Sequence, residues 1–154
     1  VTYYDLWEHS IQEIIHSAPP DAMCIQLHTG NPGRVYKGIT CDSKYTPWES
    51  LNWGAGCYYI TRPGMKIIKD IYQPNPESAK ICLFTSQGKS CVADQYLIFP
   101  KITTYTYNKP LFDHQIQTSE IHASHFEVHA GALQLIKQYF KKSKFATRQC
   151  CWIS

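Results

Sequence analysis

"AMCIQLHTGNPGRVYKGITC", residues 22–41, decides what kind of sheet this chain builds. Met23, Cys24, Ile25, Gln26 and Leu27 make a short β-rich run. Thr29-Gly30-Asn31-Pro32-Gly33 is a dense cluster of turn formers. Arg34 to Cys41 then returns as a second run holding Val35, Tyr36 and Ile39. The simplest expectation is strand, turn, strand, which makes neighbouring strands antiparallel. Two further pairs are expected downstream. "GCYYITRPGMKIIKDIY" (56–72) reads as two strands around Arg62-Pro63-Gly64, a turn in which glycine can take a positive φ. "AKICLFTSQGKSCVADQYLIF" (79–99) reads as a hairpin closed near Ser86-Gln87-Gly88. "DSKYTPWESLNWGAG" (42–56) has no clean period and reads as a loop. "KITTYTY" (101–107) alternates Ile102, Thr104 and Thr106 against Thr103, Tyr105 and Tyr107, and reads as an edge or solvent-facing strand.

Helices bracket this block. Leu6, Trp7, Ile11, Ile14 and Ile15 recur at helical spacing, Thr2 with Asp5 resembles a capping box, and Pro19-Pro20 ends the run. The first helix is therefore expected over about residues 3–17. The second runs through "SHFEVHAGALQLIKQYFKKSK" (124–144). Ser124 with Glu127 forms its capping box, and Phe126, Leu133, Ile136 and Phe140 form its apolar face. The expected fold class is α+β over a single domain, residues 1–154. It has an antiparallel sheet of about four to six strands, packed by an N-terminal and a C-terminal helix.

The chain has 154 residues, 44% hydrophobic and only 18% charged, with a net charge of +3. That balance gives no ground for a nucleic-acid partner. No run approaches a bilayer-spanning length, so no membrane is expected, and the chain is expected to be monomeric. A start at Val1 without an apolar leader fits a chain whose signal peptide has been removed.

Seven cysteines, Cys24, Cys41, Cys57, Cys82, Cys91, Cys150 and Cys151, spread along the chain without any C-x-x-C. That spread is expected of disulfide staples in a secreted domain, with one cysteine left unpaired. The ending "TRQCCWIS" (147–154) also has the outline of a C-a-a-X box beside a basic run, the two-signal pattern of a prenylated cytosolic protein. Five further cysteines in a small protein favour a latch instead. Cys24 is then expected to bridge Cys150 or Cys151, with Cys41, Cys57, Cys82 and Cys91 supplying the other bonds.

Three constellations carry candidate chemistry. His122, His125 and His129 invite a metal, but no H-E-x-x-H accompanies them, and no metal or other cofactor is expected. The histidines also invite a ribonuclease-like acid–base pair, and convergence of two among His28, His114, His122, His125 and His129 with an acid and a basic residue in one cleft would favour that alternative. Lys137, Lys141, Lys142, Lys144 and Arg148 form a basic run interleaved with Tyr139, Phe140 and Phe145. Such a run is the usual solvated end of a helix whose aromatics face inward.

The stretch "GCYYITRPGMKIIKDIYQPNPESAKICLFTSQGKSC" (56–91) resembles the small cysteine-rich proteins secreted by plant-associated filamentous fungi. With a Gly-Cys strand, a Lys-rich strand and C-x(8)-C enclosing Leu-Phe-Thr, it is similar in outline to the LARS group of avirulence and resistance-suppressing effectors. The resemblance implies a disulfide-stapled α+β protein, secreted to the host apoplast or carried into the host cell. It implies action by binding a host protein, recognition by a host immune receptor, and no catalysis.

Overall fold

A computed structural model describes residues 7–72, 93–112 and 125–150, with side chains in the last segment described for 127–142. Ser10 opens the first helix, α1 (Ile11–His16). Its hydroxyl accepts from the Glu13 amide at 3.2 Å, and the Glu13 carboxylate accepts from the Ser10 amide at 2.7 Å. This reciprocal box satisfies two donors that the first turn would leave bare. The helix is thus shorter than expected and capped by Ser10 and Glu13; Thr2 and Asp5 lie outside the described residues. Ile14 is its buried anchor.

The strand β1 (Cys24–Gln26) follows as expected, and the element after it does not. Residues 32–40 are a helix, α2 (Pro32–Thr40). Asn31 caps it, its side chain accepting from the Arg34 amide at 3.3 Å, and Pro32 takes the first helical position. Proline costs nothing there, because that N–H has no helical partner anyway and its φ is already helical. Val35 and Gly38 share the buried side of α2. The same correction applies at 62–72. After β3 (Tyr58–Ile60) the chain enters α3 (Arg62–Tyr72) rather than a second strand. Thr61 starts it, accepting from the Gly64 amide at 3.2 Å while its carbonyl accepts from Met65. Val, Tyr and Ile favour strands when a sheet surface receives them, but this preference is contextual and yields to caps and packing.

The remaining strands are β2 (Tyr45–Pro47), within the stretch expected as loop, and β4 (Thr104–Tyr107). The hairpin expected over 79–99 lies mostly outside the described residues; its end, Ala93–Ile98, is a π turn, followed by a 3-10 turn at Phe99–Lys101. The last helix, α4, spans His125–Cys150.

The sheet has the order β2-β4-β1-β3. It is mixed, not antiparallel. β1 runs parallel to β4, with Cys24 opposite Thr104 and Gln26 opposite Thr106, while the two outer pairs are antiparallel. A hairpin cannot join parallel neighbours; a crossover is required, and α2 opens that crossover. β4 is accordingly internal, paired on both sides, and not the edge strand its threonines suggest.

All three residues of β1 are buried, so both faces of the sheet centre are covered. One face sets Ile25, Leu27 and Tyr107 against Ile14 and Leu111, with Trp7, Tyr45 and Phe112 around them. A second cluster joins Val35 of α2 to Ala132, Ile136 and Phe140 of α4, at helical spacing. Gly38 lets α2 lie against the exit of β4. A Cβ there would stand 2.4 Å from the Asn108 carbonyl oxygen.

Among the described residues no disulfide staples this arrangement. Cys24, Cys41 and Cys57 are free thiols. Cys24 is fully buried in an internal strand, and burial pushes its thiol up to about 12. The proposed bridge from Cys24 to the C-terminal pair is therefore not formed. Cys82, Cys91 and Cys151 lie outside the described residues, as does the side chain of Cys150. Apolar burial and the mixed sheet hold the described core together.

Candidate functional site

Chemically capable side chains gather where β1 ends. Beyond Gln26, residues 27–30 run beside residues 52–57, and hydrogen bonds sew the two segments together. The Leu27 amide donates to the Cys57 carbonyl at 3.0 Å, and the Gly30 amide to the Trp53 carbonyl at 3.1 Å. The Thr29 hydroxyl also donates to the Trp53 carbonyl, at 3.1 Å.

Glycine permits this approach at two points. Gly54 has a φ of +126°, which other residues avoid. At Gly30 a Cβ would fall 2.7 Å from the Trp53 ring. The Trp53 ring meets His129 of α4 edge-on, with centroids 5.2 Å apart. The His129 ring also lies against Gly30, and the His28 ring lies against Gly56. The structure thus brings His28 and His129 to the same pair of loops, from residues 101 positions apart in sequence.

A buried polar network supports this end of the sheet. The Gln26 side-chain amide donates to the Asn52 carbonyl at 2.6 Å and to the Gly54 carbonyl at 2.8 Å. The Thr106 hydroxyl donates to Gln26 Oε1 at 2.9 Å and accepts from Asn52 Nδ2 at 2.7 Å. Gln26 and Asn52 are 0% and 2% exposed, so water does not compete for these bonds. Asn52 Oδ1 has no hydrogen-bond partner among the described residues. Alternation along β4 puts Thr106 on the face of Thr104, which is legible in sequence, while the register of β4 against β1 sets Thr106 opposite Gln26. Nothing local marks Asn52.

A small cleft opens beside this network, bordered by Leu27, His28, Thr29, Arg34, Thr106 and Lys109, with about 20 Å³ of room. That volume suits a water molecule. The two cations at the cleft are committed elsewhere. Arg34 pairs with Glu49. The Lys109 ammonium donates to the carbonyls of Gly38, Ile39 and Cys41, at 3.3, 3.3 and 2.8 Å. These belong to the C-terminal end of α2, where the helix leaves carbonyls bare and a cation is favoured.

The other expected sites resolve simply. No group of three His, Cys, Asp or Glu among the described residues is arranged to hold a metal ion. His129 faces Trp53, and the side chains of His114, His122 and His125 lie outside the described residues. In the basic run, Lys137, Lys141 and Lys142 are exposed while Phe140 is buried and Tyr139 half-buried. Tyr139 donates to Glu8 at 3.2 Å, and burial raises its hydroxyl to about 12. Among the described residues, no helix is long and apolar enough to cross a membrane. No protein-family model, curated protein or solved structure matches this chain.

Proposed function

We propose that this chain is a binding protein of the secreted effector type that residues 56–91 resemble, acting on a host protein rather than transforming a substrate. One observation carries the reading: the polar groups at the candidate site are spent on the fold. Gln26, Thr29 and Thr106 pin the loop at 52–54, Lys109 caps α2, and Arg34 answers Glu49. Groups held this way position loops and present a shaped surface. They do not leave a cation free to receive a phosphate or an oxyanion, as acid–base hydrolysis requires. Exposed large side chains lie elsewhere, with Tyr36 61% and Leu51 60% exposed. Such side chains are the common currency of protein contacts. Of the staples that the resemblance implies, none involves Cys24, Cys41 or Cys57, which are free thiols.

The hydrolase alternative keeps one observation in its favour, the meeting of His28 and His129 at one loop pair. The test separates the two. Purified protein and a His28→Ala/His129→Gln variant, matched by circular dichroism, are delivered to leaf tissue, and pathogen growth and host cell death are scored. RNA cleavage by both is measured in parallel. The binding reading expects an effect on the host that survives the double substitution and no RNA cleavage. RNA cleavage lost with the histidines establishes the hydrolase instead, and an inert protein in leaf tissue overturns the effector reading.

A further inference from the structure

We draw no further inference here: the strongest candidate, the exposed flank of α3 formed by Pro63, Ile67 and Ile71, carries nothing, because nothing in the structure shows what covers it.

Discussion

Thr106→Val is the sharpest probe of the buried network. Valine matches threonine in shape, so packing against β1 is kept while the hydroxyl is lost. Two groups are stranded by that change. Gln26 Oε1 loses the donor it has at 2.9 Å, and Asn52 Nδ2 loses the acceptor it has at 2.7 Å. Neither can turn to solvent, at 0% and 2% exposure. An unsatisfied buried group costs about 1–3 kcal/mol, and the added methyl returns a part of it, so the net loss is about 2–5 kcal/mol. For a chain of this size that is a drop of about 5–15 °C in the melting midpoint. Thr106→Ser supplies the control: it keeps the hydroxyl and removes one methyl, for about 1 kcal/mol. Urea unfolding and thermal melts of the three proteins measure the differences. A valine variant within about 0.5 kcal/mol of the parent, or a serine variant as damaged as the valine one, refutes the network as a source of stability.

Three further outcomes are expected. Gly38→Ala sets helix propensity, which favours alanine by about 1 kcal/mol, against a Cβ 2.4 Å from the Asn108 carbonyl oxygen. The backbone contact dominates and the variant loses about 1–2 kcal/mol in urea titration; a stabilised variant overturns the packing of α2 on the β4 exit. Lys109→Met keeps the stem and removes the donor to three α2 carbonyls, for a loss of about 1–3 kcal/mol by the same assay, where an unchanged midpoint removes its capping role. Cys24 is expected to react with iodoacetamide only on unfolding, and to make the protein alkali-sensitive. Its thiol ionises near pH 9 when unfolded and near 12 when folded, so in that window the unfolded chain binds fewer protons. Stability is therefore constant below pH 9 on this account and falls above it by about 1.4 kcal/mol per pH unit from this group. The slope is lessened in Cys24→Ala, and rapid labelling of Cys24 in the native protein contradicts its burial.

Local order alone was enough to read some elements. The Ile14 anchor of α1, the run at Cys24–Gln26, the alternation of Thr104–Tyr107 and the apolar face of Ile136 and Phe140 all follow from periods of 3.6 or 2. The starts of α2 and α3 were also written locally, as Asn31-Pro32 and Thr61 with Pro63. They were obscured because Val35, Tyr36, Ile39, Ile67 and Ile71 are residues that strands favour, and because Gly33 and Gly64 look like turn glycines. Cap chemistry outranked propensity at both places.

The sheet order, the state of the cysteines and the candidate site belong to the tertiary structure. Nothing in "TTYTY" says that β4 lies parallel beside β1; that depends on the crossover opened by α2. A spread of cysteines says how many bridges are possible, while their formation depends on where each thiol is buried, and Cys24 sits sealed in an internal strand. Asn52 and Thr106 meet from 54 positions apart, and His129 reaches Trp53 only once α4 has packed on α2. Periodicity and caps act over one or two turns of chain, so sequence reading reaches that far. Register between distant strands and the meeting of distant side chains are set by which apolar faces bury together, a property of the whole fold.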